Sequence, residues 1–291
     1  MKMKLVSVIV PTFNSFDHVS KLCESILSQT YKNLEVIIVD NYSSDNTLEE
    51  IKKKNSDDKR FKYFKIKNRG IIAKSRNFGI KNSTGDYIAF HDSDDFWFNN
   101  KIEKSLEYII DHDFTYHHLL IENKKNFFQN NRKLFSYQLS NKPFVDLMTK
   151  GNPISTSSVL CRKNLFTNTS FLFSEEKKLV TIEDYDCWIN LSKNKFKFKE
   201  IPFVLGKYHI GQNNTSLKKK NDYKILHIFN KNKKFLSPSE TILAKNHFRY
   251  LLANSINKKY LKLKFFYYLF LQKNIKISKV KIIIKIFCNL F

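Results

Sequence analysis

Acidic residues are scarce in this chain: 27 Asp and Glu face 51 Lys and Arg, a net charge of +24 over 291 residues. That imbalance predicts attraction to polyanions, whether nucleic acid, an anionic membrane surface or phosphorylated small molecules. The basic residues are mostly Lys, scattered among Asn, Ile and Phe. An AT-rich coding sequence produces the same bias, so charge alone selects none of the three. Cysteine is also sparse. Cys23, Cys161, Cys187 and Cys288 stand far apart, with no Cys-x-x-Cys pair and no Cys/His cluster, which excludes a zinc pattern. Free thiols in a reducing cytoplasm are expected. With only six glycines, no Gly/Ser-rich linker marks a domain boundary, and no internal repeat is present. Long apolar runs are missing too. The longest late run, Phe265 to Leu271, falls well short of the ~18 uncharged apolar residues of a membrane span. Leu5 to Val10 is too short for a signal-peptide core and stops at Pro11.

What is present is a globular composition, 42% hydrophobic, long enough to bury a sizeable core. Val6 to Val10 reads as a buried parallel strand, followed by a helix over about 16–29 (Val19, Leu22, Cys23, Ile26, Leu27 at helical spacing). Leu34 to Val39 is a second strand, Leu48 to Lys54 a helix, Phe61 to Ile66 a third strand, Gly70 to Ile80 a helix packed through Gly79, and Asp86 to Phe90 a fourth strand. Strand–helix alternation at this pitch predicts an α/β fold with right-handed parallel crossovers. Ligands of such sheets bind beyond the carboxyl ends of the strands. Thr12-Phe13-Asn14, Asp40-Asn41 and Asp92-Ser93-Asp94 occupy those ends and should converge on one crevice. Further on, the pattern predicts a helix over about 100–112, strands over Phe114–Ile121, Phe127–Tyr137 and Ser155–Cys161, and a helix capped by Thr181. Phe196 to Tyr208 is mainly extended, and a lysine-dense, mostly helical region follows from about 217.

The densest chemical signal is Asp92-Ser93-Asp94-Asp95. Two carboxylates ~4 Å apart repel by roughly 4 kcal/mol at an effective dielectric of ~20, so such a cluster either splays into water or gathers a cation. Hard oxygen ligands select Mg²⁺ or Mn²⁺. A second acidic cluster, Glu183-Asp184-Tyr185-Asp186, opens a helix. Its crowding would raise one carboxyl toward a pKa useful for a base.

Several stretches, in order, resemble family 2 glycosyltransferases of the GT-A fold: Val6-Ser7-Val8-Ile9-Val10-Pro11-Thr12-Phe13-Asn14, Ser28-Gln29-Thr30-Tyr31-Lys32-Asn33-Leu34-Glu35, Val39-Asp40-Asn41-Tyr42-Ser43-Ser44-Asp45-Asn46-Thr47, Asn68-Arg69-Gly70, Ser75-Arg76-Asn77 with Gly79, Thr84-Gly85-Asp86-Tyr87-Ile88, Asp92-Ser93-Asp94-Asp95, and Glu183-Asp184-Tyr185-Asp186 with Trp188. The resemblance covers about residues 4–216. It implies a mainly parallel, Rossmann-like sheet flanked by helices. Residues 1–100 form the nucleotide-sugar half, 101–216 the acceptor half and 217–291 a basic, mainly helical extension.

The resemblance also implies an inverting, metal-dependent transferase that uses a nucleotide-sugar donor, UDP-linked, and a glycan or lipid-linked acceptor in bacterial surface-glycan synthesis. By resemblance, Pro11, Thr12 and Phe13 line the base pocket, with Asn14 beside them. Asp40 and Asn41 bond the uracil or ribose; Asn41 departs from the second Asp often found there. Arg76 contacts phosphate or base, or else anchors Asp86 or the acidic loop. Asp92 and Asp94 bind Mn²⁺ or Mg²⁺, Asp94 more directly, with Ser93 on the donor. His209 joins the metal or diphosphate, Asp184 or else Glu183 is the base, and Trp188 stacks on the acceptor or belongs to the core. No nucleic-acid partner is expected. The basic tail is either a solvated helical subdomain or a peripheral contact with the inner face of the cytoplasmic membrane. An inactive homologue acting as a binding module, or a basic nucleic-acid-binding protein, remains the alternative.

Overall fold

The computed structural model of the chain describes residues 3–123, 131–167, 171–211 and 222–255. The chain separates into two compact units, Met1–Lys219 and Lys220–Phe291.

In the first unit, β1 (Val6–Thr12) and β2 (Leu34–Asp40) are buried along their whole length. That matches their near-continuous apolar sequence, since a strand covered on both faces has no need to alternate. The flanking strands are β3 (Phe61–Lys65) and β4 (Tyr87–Phe90). The order β3-β2-β1-β4 is parallel throughout, and the register pairs Thr12 with Asp40 and Asp40 with Lys65. Between them run α1 (Val19–Leu27), α2 (Thr47–Lys54) and α3 (Ile72–Asn82). Val19, Leu22, Cys23 and Ile26 form the buried stripe of α1. Gly79 of α3 lies so close to β1 that a Cβ there would stand 2.5 Å from Ile9. Its packing role therefore comes from the close approach of helix to sheet.

Beyond β4 the sheet changes direction. It continues through β7 (Leu160–Arg162), β6 (Phe114–Glu122), β8 (Phe198–His209) and the two-residue β5 (Phe96–Trp97). β7 is antiparallel to both β4 and β6, β6 and β8 are parallel, and β5 is antiparallel to β8. The remaining helices of this unit are α4 (Lys101–Tyr108), α5 (Pro143–Lys150) and α6 (Glu183–Ser192).

Three local expectations need correction. No strand forms over 131–137. β7 covers only Phe114 and Thr115 of β6, and residues 131–134 take that edge further along through a single bridge, Leu120 with Lys133; residues 124–130 lie outside the described ones. The expected strand from Ser155 begins instead with a 3-10 turn, Thr156–Ser158, in which the Ser158 hydroxyl donates to the Ser155 carbonyl. Such local side-chain bonds compete with a sheet ladder. Thr181 does not cap α6. It sits at φ +84°, Ile182 is the N-cap, and the Thr181 N–H is taken by Glu183 Oε2 at 2.6 Å.

The second unit contains α7 (Asp222–Asn232) and α8 (Pro238–Ser255). Ile228 and Phe229 of the first and Ala244 and Phe248 of the second are buried, with the Phe229 and Phe248 rings 5.4 Å apart. Ser237 and Glu240 form a reciprocal cap at the start of α8. No helix among the described residues is long and apolar enough to cross a membrane. Most of the lysine-rich tail, 256–291, lies outside them.

Candidate active site

The carboxyl ends of β1, β2 and β4 bring their loops together. Asp40, wholly buried, accepts from Thr12 Oγ1 (2.9 Å), Ser43 N (2.8 Å) and Ser43 Oγ (2.5 Å), so it locks the turn after β2 onto β1. Asn14, at φ +46°, accepts the Ser44 N–H through Oδ1 at 2.9 Å. It is a loop fastener. Asn41 Oδ1 accepts the Asn68 N–H at 2.9 Å, which leaves its amide NH₂ as the group it can offer a ligand. Pro11 and Thr12 are buried, whereas Phe13 is 56% exposed. Phe13 alone of that trio presents an open apolar face. Ser15 and Ser93 share a 2.8 Å hydroxyl contact that ties the β1 loop to the acidic loop.

One guanidinium organises both acidic clusters. Arg76, on α3 and 4% exposed, donates through Nη2 to Asp92 Oδ1 and through Nη1 to Glu183 Oε1, each at 2.8 Å. Burial alone would lower its pKa, but Asp92 and Glu183 hold it above its already high ordinary value. Arg76 therefore anchors the acidic loop to the start of α6. It does not pair with Asp86, which is bound by Lys4 on the surface; the two bonds use one N–H of each terminal nitrogen, and Nε has no partner among the described residues. Glu183 is likewise occupied, since Arg76 holds one oxygen and the Thr181 N–H the other.

The neighbours of these paired carboxylates have no cation within ion-pair distance among the described residues. Burial, and then the nearby charge of Asp92, push Asp94 up to about 6. Burial and then Glu183 push Asp184 up to about 7, although Arg76 and the Tyr185 N–H at 2.7 Å act the other way. Thr156 Oγ1 lies 3.3 Å from Asp184 Oδ2. Asp95 is buried and raised well above its ordinary value, chiefly by that burial; its Oδ1 accepts the His209 N–H at 3.0 Å and its Oδ2 has no partner. His209 Nδ1 lies 3.1 Å from Glu122 Oε2, and Lys21 pairs with the same carboxylate at 3.0 Å. His209 thus pins the end of β8 to the acidic loop.

Trp188 is not at the site. Its ring is fully buried on the inner face of α6, packed against Phe90, Phe114 and Phe173. Helical spacing alone would set Trp188 on the face of Asp184, one turn along, but α6 enters the core immediately, burying Tyr185 through Ile189. Sequence reading also overlooked the loop-fastening roles of Thr156 and Glu122, whose only signal was position beside a strand or helix end; Ser43 and Asn68 lay in the motif stretches, but their bonds to Asp40 and Asn41 were not anticipated.

No group of three or more His, Cys, Asp or Glu side chains among the described residues is arranged to hold a metal ion alone. Mg²⁺-type sites often use one or two carboxylates and complete their shell from substrate phosphates. The uncompensated Asp94 beside Asp92 fits that pattern.

A sheet of this order, with acidic and aromatic groups gathered at the ends of β1, β2 and β4, defines the GT-A class of α/β proteins. S. aureus TarS in complex with UDP-GlcNAc shares the fold with a TM-score of 0.64 at 20% identity, over 89% of this chain and 73% of that one. The mannosyltransferase PcManGT from Pyrobaculum calidifontis, in complex with GDP-Man and Mn²⁺, does so at 0.63 and 15%, over 86% and 71%. The Glycosyl transferase family 2 profile matches residues 7–167, and the chain belongs to that family. An uncharacterized glycosyltransferase of Rickettsia bellii is 34% identical over 220 residues, 75% of this chain and 30% of the relative. The Escherichia coli UDP-Glc:alpha-D-GlcNAc-diphosphoundecaprenol beta-1,3-glucosyltransferase WfaP is 32% identical over 221 residues, 75% of this chain and 82% of the relative. The chain spans under a third of the length of the Rickettsia relatives it matches.

Proposed function

We propose that this chain transfers a sugar, with inversion, from a UDP-sugar to a lipid-linked or glycan acceptor in the synthesis of a bacterial surface glycan. The observation that carries this reading is the division of labour around Arg76. It neutralises Asp92 and Glu183 and leaves Asp94 and Asp184 as two uncompensated carboxylates on one site. Asp94, with the Asp92 oxygen that Arg76 does not hold and His209 alongside, would hold Mn²⁺ or Mg²⁺. Such an ion, when bound, supplies charge neutralisation for a diphosphate leaving group. Phe13 offers the base a stacking face, and the Asn41 NH₂ suits a carbonyl acceptor such as those of uracil.

In the reaction the acceptor hydroxyl oxygen bonds to the anomeric carbon, the bond from that carbon to the diphosphate oxygen breaks, and the nucleoside diphosphate departs with the electron pair. The hydroxyl proton passes to Asp184. A base poised near 7 suits this task; Glu183 has both oxygens engaged. The WfaP name supports a UDP-sugar donor and a lipid-diphosphate acceptor. In the second unit, exposed Phe235, Ile242, Leu243 and Tyr250 lie among exposed Lys233, Lys234 and Lys245, which suits peripheral contact with an anionic membrane face. A panel of nucleotide-sugars with Mn²⁺ and a lipid-linked acceptor, followed by nucleotide release, tests the reading. Asp94→Ala should cut turnover roughly 100-fold or more. Full activity in that variant, or no turnover with any donor, would sink it.

A further inference from the structure

Tyr42 combines three properties that packing does not explain. It sits at φ +51°, in the left-handed region, where a bulky residue is uncommon and glycine or asparagine is the usual occupant. Its ring is 52% exposed, so no core contact compensates the strain. The backbone is held there by the bonds from Ser43 N and Oγ to the buried Asp40 carboxylate. The ring carries Lys67 Nζ at 5.4 Å from its centroid, and Lys67 follows β3. Strained positions that the surroundings over-determine tend to serve a ligand.

The topology says which ligand. β4, β1, β2 and β3 are successive neighbours, so their ends span about 14 Å at ~4.8 Å per strand. The acidic loop lies after β4 at one extreme, and Tyr42 and Lys67 lie after β2 and β3 toward the other. Phe13 is between them. An extended nucleoside diphosphate with its phosphates at Asp92 and Asp94 brings its base to the β2 and β3 ends. We infer that Tyr42 is a nucleotide-binding residue, stacking on the donor's base as a second aromatic wall beyond Phe13, with Lys67 holding its ring in place. The inference rests on the nucleotide-sugar reading above and adds a residue to it. An aromatic face accepts any base, so the gain is in affinity more than in discrimination.

Calorimetric titration of UDP with Mn²⁺ into the full chain tests it, alongside Tyr42→Gly, Tyr42→Ala and Tyr42→Phe. The Gly and Ala variants should bind about tenfold more weakly, and the Phe variant within about twofold of the unaltered chain. Competition by inorganic pyrophosphate should not change, because it has no base. Tyr42→Gly should also melt a few degrees higher, roughly 2–4 °C, because glycine relieves the backbone. Greater stability with weaker UDP binding is a combination that a purely structural tyrosine does not give. Unchanged UDP affinity in Tyr42→Gly overturns this inference alone. Absence of UDP binding by the unaltered chain overturns the nucleotide-sugar reading along with it.

Discussion

The two edges of the sheet treat buried carboxylates in opposite ways. At the amino edge, Glu35 near the start of β2 is 5% exposed and accepts from Ser7 Oγ, Lys62 Nζ, Thr84 N, Thr84 Oγ1 and Gly85 N, all within 3.1 Å. Burial works to raise its pKa, but these donors outweigh it and hold the group at about 2. At the carboxyl edge, Asp94, Asp95 and Asp184 have few donors, and burial pushes each of them up. The same residue chemistry stabilises one edge and loads the other. Uncompensated charge is costly, and it is concentrated where the strand ends open onto the cleft. At the same edge Asp40 accepts three bonds and Arg76 pairs Asp92 and Glu183, so the unsatisfied polarity is confined to Asp94, Asp95 and Asp184.

Asp184→Asn should give the largest effect and separate the two edges most sharply. Loss of the base should lower turnover by roughly 100- to 10,000-fold, while the fold becomes more stable. A carboxyl raised in the folded state loses native stability as pH climbs from its unfolded value, ~3.9, through about 7. The asparagine variant escapes that loss. It should match the parent near pH 4 and exceed it by up to about 4 kcal/mol near pH 8, at roughly 1.4 kcal/mol for each of the ~3 pH units between the two values. In the parent, kcat/KM should fall as pH drops below about 7. Activity profiles and denaturant melts across that range check both halves. A destabilised variant would remove Asp184 from the class of strained functional groups.

Arg76→Met comes next. It leaves Asp92 and Glu183 without their shared cation in a buried setting, and breaking a buried pair from one side costs about 3–5 kcal/mol. Because Arg76 connects the acidic loop to α6, stability and activity should fall together, unlike the opposite responses of Asp184→Asn. Arg76→Lys should rescue only part of the loss, since an ammonium cannot fork to two carboxylates as a guanidinium does. Urea unfolding of the three proteins gives the comparison.

Most of the parallel half was legible in the sequence. β1, β2 and β4 are short apolar runs ended by polar residues, a local signal that needs no knowledge of neighbours. The half beyond β4 was harder to read, because antiparallel β7 is set by its partners and the Ser155–Ser158 stretch satisfies itself with side-chain bonds. The two acidic clusters were visible as charge density. Their connection through Arg76 was not, because 107 residues separate it from Glu183 and only the fold brings them together. Trp188 was ambiguous for the same reason: helical spacing sets it one turn beyond Asp184 on the same face, but not that α6 has by then entered the core against Phe90 and Phe114.

Glu35→Gln should give the smallest of these three effects, confined to stability. The amide keeps the shape but loses the ion pair with Lys62 at 2.6 Å. Its NH₂ must also face donors where the carboxylate accepted, so about 2–3 kcal/mol should be lost at pH 7. A carboxyl lowered in the folded state contributes fully above its unfolded value, ~4.3, and the contribution disappears as pH falls toward about 2. The variant's deficit should therefore narrow steadily as pH falls over that acid range; like the Asp184→Asn difference it grows as pH rises, but with the opposite sign, since here the parent is the more stable protein. Turnover per folded molecule should be unchanged, since the amino edge lies a full strand length from the acidic loop. A drop in turnover at full folding would break the division between the two edges.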